Sequence, residues 1–182
     1  MSEESYMTHN SFKFGSLDMW DEWELRVLDV VDYLKPRLRS KKKQIPERDG
    51  SYDFGAEYYD ERVLSLKCIR MSDITRHFQH ELAYALAEKS QIRLYDDPSK
   101  YYVGRIYSEP ELQPIRNGGL QVTLEFTCEP FLRGLAVTES FSNMVYLPDY
   151  HGTRRTPTVI TIKNTGNTAI SGIRIIMQNK RS

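Results

Sequence analysis

His77 and His80, one helical turn apart with Glu81 beside them, are the side chains whose types come nearest to metal-site chemistry. Helical metal centres need His-Glu-x-x-His or His-x-x-Glu-His, so that both imidazoles face one ion. The His-Phe-Gln-His-Glu order here fits neither, and Phe78 belongs to an apolar stripe that turns its neighbours toward solvent. A solvated helix face is the reading that follows. Cys68 beside one of the four histidines would have the chemistry of a nucleophile pair. Its inward position in a strand-like run marks it instead as an inert core thiol. Asp96 and Asp97 run directly into Pro98, without the spaced oxygens of a calcium loop. Gly118-Gly119 follows no strand-to-helix junction and reads as a hairpin turn rather than a phosphate cradle. With no convergent nucleophile, base or ligand set, no reaction and no cofactor or metal are expected.

The remaining chemistry is charge. Pro36 to Gly55, PRLRSKKKQIPERDGSYDFG, is a basic extended segment that ends in a Pro-Glu-Arg-Asp-Gly turn. Lys35, Arg37, Arg39, Lys41, Lys42 and Lys43 form its basic run, and Arg48 sits in the turn. An acidic stretch at Asp18, Asp21, Glu22, Glu24, Asp29 and Asp32 precedes it. In a monomer the two are solvated edges; in a ring, one copy's basic arm meets the next copy's acidic edge and sets register by charge. Specific nucleic-acid binding is disfavoured by the nearby acid and by the overall balance of 25 basic against 25 acidic residues. Pro36 to Ile45 is therefore expected to project from its own subunit onto an adjacent copy, with the intersubunit contacts coming from Lys35, Arg37, Arg39, Lys41, Lys42, Lys43 and Arg48.

The elements that must position these residues are mostly strands. Ser11–Gly15, Glu24–Val31, Val63–Met71, Gln91–Tyr95, Tyr101–Tyr107 and Leu120–Cys128 read as strands. The last alternates strictly, with Val122, Leu124, Phe126 and Cys128 inward. One amphipathic helix opens at Ser72 or Asp73 and runs to about Lys89, with Ile74, Phe78, Leu82 and Leu86 on its buried stripe. The predicted fold class is α+β, mostly antiparallel β with sandwich-like sheets, an extended β-arm and that helix. Beyond Phe131 the character changes, and Thr158–Ile162 and Ile170–Met177 flank Asn164-Thr165-Gly166-Asn167 as a predicted hairpin. A first domain over 1–133 and a partial β domain over 134–182 are expected.

With 182 residues, 40% apolar and 27% charged, the chain can build one good core and a smaller unit. Cys68 and Cys128 are too few for a secreted disulfide framework and are expected to be reduced and buried. No apolar run approaches the ~18 residues of a membrane span, and the polar start MSEESYMTHN lacks signal-peptide character. No membrane partner is expected. The twelve tyrosines, among them Tyr52, Tyr58, Tyr59, Tyr101, Tyr102 and Tyr107, suit core and interface packing ahead of sugar stacking.

The ordered set Ser-Phe-Lys-Phe-Gly, an arm ending IPERDGSYDFG, the strand at Val63, one helix, Leu-Tyr-Asp-Asp-Pro running into Tyr-Tyr-Val-Gly-Arg, and Phe126-Thr127-Cys128-Glu129-Pro130 resembles the siphophage distal tail protein family over about residues 11–133. The resemblance implies a structural virion component at the phage tail tip, assembled in the bacterial host cytoplasm. It further implies a homo-hexameric ring that joins the tail tube protein to tail-tip and adhesion proteins. Arg155–Ile162 looks like the opening strand of the galectin-like or carbohydrate-module-like sandwich found in such proteins, with too little chain after it to complete one. The rival reading is a carbohydrate-binding module that recognises a host surface glycan through exposed tyrosines. Glycan binding by a strict monomer would favour that rival.

Overall fold

The long strand that alternates most strictly in sequence is the axis of the fold. The computed structural model describes residues 9–39, 42–53, 58–72, 75–116, 118–138, 140, 152, 159–169 and 171–172. By contact the chain divides into units of residues 1–138 and 139–182. In the first, β1 (Phe12–Phe14), β2 (Leu17–Asp18), α1 (Met19–Trp23) and β3 (Arg26–Val31) precede the arm strands β4 (Lys42–Gln44) and β5 (Ser51–Asp53). Then come β6 (Arg62–Arg70), α2 (Arg76–Ala85), β7 (Ser90–Leu94), β8 (Lys100–Ile106), β9 (Glu111–Ile115), β10 (Gly119–Cys128) and β11 (Arg133–Gly134).

β10 pairs antiparallel with β6 from Leu120↔Arg70 to Cys128↔Arg62, so Val122, Leu124, Phe126 and Cys128 share one face with Leu64, Leu66 and Cys68. All seven side chains are buried there, and a one-residue slip would turn the whole set to solvent. The sheet runs β2-β1-β7-β8-β10-β6-β3, with β9 added on β10 and β11 on β8. Its two ends are tied together: Val27 N donates to Asn10 O at 2.6 Å, and Ser11 Oγ donates to Leu25 O at 2.7 Å. The sheet thus curls toward a barrel, which shelters strand edges that an open sheet would expose. Phe126 anchors the interior, with the rings of Phe12 and Phe14 at 6.1 and 5.8 Å.

Curvature brings backbones close at Gly104. A Cβ there would lie 2.5 Å from Cys128 Sγ and 2.9 Å from Thr127 O, so only glycine lets β8 meet β10.

Several sequence expectations are corrected. Glu24 is not strand: with φ 52° it ends α1, and the strand starts at Arg26. The helix was missed because five residues carry no periodicity, although Asp18 caps it by accepting from Trp20 N at 3.0 Å. Leu28, expected as apolar strand content, is 52% exposed because the register shifts between Val27 and Asp29. α2 is shorter than predicted, starting after its cap Thr75, whose Oγ1 accepts from Phe78 N at 3.2 Å. Of the predicted stripe, Phe78, Leu82 and Leu86 are buried, while Asp73 and Ile74 lie outside the described residues. β9 was unforeseen because its side chains are mostly exposed and it carries Pro114, which an outer strand tolerates.

In the second unit, Asn164 Oδ1 accepts from Gly166 N at 3.0 Å and its Nδ2 donates to Thr168 O at 2.8 Å, so the predicted turn residues do form a side-chain-stitched turn. The strand predicted before it is absent over the described residues 159–162. Extended chain becomes strand only with a ladder partner. The second predicted strand, Ile170–Met177, lies outside the described residues except at 171–172.

Candidate assembly interface at the arm

The arm leaves the sheet at the end of β3 and returns at the start of β6, and both ends are held by one cluster. Arg62 Nε lies 3.3 Å from Asp32 Oδ1, an ion pair without hydrogen-bond geometry, while a terminal nitrogen of Arg62 donates to the Tyr33 carbonyl. Tyr102 of β8 donates its hydroxyl to Asp32 Oδ2 at 2.7 Å, and the Arg62 guanidinium sits 5.7 Å from the Tyr102 ring. Burial first, then the bond to Asp32, push the Tyr102 phenol above its usual range. It stays a neutral donor. Arg62 is almost fully buried, so Asp32 is the counter-charge that makes its burial tolerable.

Beyond the root, the two sides of the arm pair with each other. Arg39 N donates to Tyr58 O at 2.9 Å, Asp60 N donates to Arg37 O at 2.8 Å, and Arg39 Nε bonds Asp60 Oδ1 at 2.7 Å. Leu38 and Tyr59 form a bridge, Pro36 is buried, and the Tyr59 ring meets Phe131 edge-on at 5.1 Å. The stretch from Pro36 to Arg39 is therefore fastened to its own subunit, which corrects the expectation that Pro36 to Ile45 projects as a whole. Only the far part stands apart from the main sheet.

At the tip, β4 and β5 make a separate two-stranded ladder, Lys42↔Asp53, Lys43↔Tyr52 and Gln44↔Ser51. Arg48 N donates to Ile45 O at 3.3 Å, and Glu47 (φ 62°) and Gly50 (φ 77°) turn the chain around. The register puts Lys43 and Tyr52 on one face, and Ile45, one residue past β4, follows Lys43 at the strand period of two; the Arg48 guanidinium is 5.6 Å from the Tyr52 ring. Ile45 and Tyr52 are 40% and 43% exposed. Lys35, Arg37, Arg39, Lys42, Lys43 and Arg48 are all exposed, and Lys41 lies outside the described residues. The structure thus spreads the predicted contact residues along the arm, with Arg39 already engaged by Asp60.

The acidic stretch is not a single edge. Asp18 caps α1, Glu24 accepts from Ser72 Oγ, and Asp32 belongs to Arg62. The partner of Asp18 is local, but sequence spacing had no way to show that Glu24 and Asp32 are taken by Ser72 and Arg62 from far along the chain.

The other predicted chemistry resolves as structure. His77 Nε2 is 3.1 Å from Glu81 Oε1 on the exposed face of α2, and among the described residues no cluster of potential metal ligands occurs. Burial pushes the Cys68 thiol up to about 12, and burial likewise pushes Cys128 to about 12. Asp97 is lowered by its bond from Ser99 and by Lys100, as a turn carboxylate.

A curled antiparallel sheet with a latched, charged, two-stranded arm defines a β domain. A family model described as the phage tail protein RIFT-related domain matches residues 23–128, more than half of the chain, and the chain belongs to that family. Among solved structures, the chain is similar to the Dit protein of phage SPP1, titled a paradigm of the hub adsorption apparatus in phages infecting Gram-positive bacteria. Identity is 24%, TM-score 0.58, and the match covers 69% of this chain and 52% of that one. The chain spans about half the length of that protein, and at this identity the likeness establishes the fold. Both findings support the resemblance to siphophage distal tail proteins. No curated protein sequence matches.

Proposed function

We propose that this protein is a distal tail hub that works by self-association, forming a ring, of six copies as in the family it resembles, between the tail tube protein and the tail-tip and adhesion proteins. It carries out no reaction and takes no cofactor; its action is to present docking surfaces. The carrying observation is the arm: a hairpin outside the main sheet, rooted by Asp32, Arg62 and Tyr102, with Lys43 exposed and Ile45 and Tyr52 still 40% and 43% exposed. An isolated two-stranded hairpin is marginal in water, so a face of this kind gains from a neighbour that covers it. Membership of the phage tail family supports a role in the tail.

Changing Lys42, Lys43 and Arg48 together to Glu tests the proposal. These side chains are exposed, so stability should move by no more than about 0.5 kcal/mol, while the oligomer mass by light scattering should fall. An unchanged oligomer in that variant would remove the arm from the interface.

A further inference from the structure

α2 leaves part of the sheet interior uncovered. β8 pairs with β10 only from Gly104 to Ile106, and β9 takes over on the same side of β10 from Thr123 down. Where one strand departs and the other has not begun, a crevice of about 250 Å³ opens beside the helix. Phe78, Leu82, Leu86, Ile106, Leu112 and Val122 line it, and no titratable side chain does. Pockets for cofactors and drug-sized ligands run to about 300–1,000 Å³ and carry convergent polar groups. This one is smaller and apolar but for Gln79, which suits one or two inserted side chains.

The rim is acidic. Glu109 and Glu111 bracket Pro110, and Glu88 follows Ala87, all exposed. Two cations near this rim are turned elsewhere, Arg105 sitting 5.9 Å from the Tyr107 ring and Lys89 bonding Glu129 at 2.8 Å, while Arg70 lies over the Phe78 ring at 4.1 Å, away from Glu109 and Glu111 in sequence. The arm tip carries the complement, Ile45 and Tyr52 with Lys43 and Arg48 around them.

We infer that this crevice is the socket for the arm tip of a second copy, Ile45 and Tyr52 entering the apolar space while Lys43 and Arg48 meet Glu109 and Glu111. This rests on the self-association proposed above and names its receiving surface. The placement fits a head-to-tail contact. The arm is rooted at Arg62, the start of β6, whereas Val122 in the crevice pairs with Cys68 near the end of β6. Root and socket thus lie toward opposite ends of a ladder about 25–30 Å long at the usual strand rise. Two different patches related by a rotation generate a ring when the rotation closes. A buried aromatic anchor in a pocket, ringed by charge, is the arrangement that concentrates binding energy at interfaces.

Disulfide trapping tests the socket. Full-length Ile45→Cys is mixed under mild oxidation with full-length Ala83→Cys of distinguishable mass, Ala83 being an exposed crevice residue. The native Cys68 and Cys128 are buried and contribute little background. A mixed dimer is expected, and it should be absent when the second cysteine is placed at Ser16 instead. Separately, Tyr52→Ala should weaken association roughly thirtyfold, the effect of losing an anchor worth about 2 kcal/mol. Circular dichroism checks that each variant is folded. If the wild type oligomerises but the Ile45–Ala83 pair never links and Tyr52→Ala keeps full affinity, the socket is wrong while self-association stands. A wild type that remains monomeric at high concentration overturns both.

Discussion

The curled sheet and the arm that leaves it obey opposite rules. In the sheet, alternate residues of β6 and β10 disappear into a shared interior, and each side chain's position is fixed by many neighbours. In the arm tip, the same alternation leaves Lys43, Ile45 and Tyr52 substantially exposed. One region holds its shape by burial; the other by a root cluster and a few cross-strand bonds. On the function proposed above, stability and assembly are separated along the chain, so a change in one region should leave the other largely unaffected.

The largest expected effect lies in the sheet. Leu124 is fully buried, and Leu124→Ala should lower unfolding stability by about 2–5 kcal/mol, read from the urea midpoint at unchanged m-value. A loss below 1 kcal/mol would mean that the interior is not packed as described.

At the root the two regions meet, and an intermediate effect is expected. Asp32→Ala leaves the Arg62 charge desolvated without its counter-ion, and should cost about 1–3 kcal/mol. The same variant should also reduce oligomer mass, because the arm loses the contact that fixes where it leaves the sheet. Loss of stability with assembly untouched would show that the cluster serves the sheet alone.

The smallest effect belongs to the surface of the sheet domain. Glu129 bonds Lys89 at 2.8 Å and Arg133 at 2.5 Å, and these partners, Lys89 first, hold its carboxyl below the ordinary carboxylate value of 4.5. A depressed carboxyl contributes stability that is present above its unfolded value and lost as pH falls through its folded one. Thermal melts should therefore show slightly less acid destabilisation in Glu129→Gln than in the wild type between pH 5 and pH 3 in about 0.1 M salt, where such exposed pairs are screened. Equal pH slopes would rule the pair out as a contributor.

Much of the sheet was legible in advance, because Leu120–Cys128 and Val63–Met71 alternate with period two and burial follows period. The inward set Val122, Leu124, Phe126 and Cys128 is as read. Short or irregular pieces escaped: α1 is too brief for periodicity, the β3 bulge turns Leu28 outward, and β9 has almost no buried face to announce it. At the candidate interface, the basic run and its turn were visible as composition. The root was not, since Asp32 lies just past β3 while Arg62 and Tyr102 come from β6 and β8, and nothing local marks them as partners.

The amino-acid order alone determined an α+β chain rich in antiparallel strands, the inward residues of its longest ladder, and a charged extension unlike the rest, because each of these is written in local period and composition. Tertiary structure decided which carboxylates were already taken, that the first half of the extension is tied back to its own subunit, and where an apolar crevice opens between β8 and β9. Those outcomes depend on which distant segments meet, and an ion pair or a gap between strands exists only once they do.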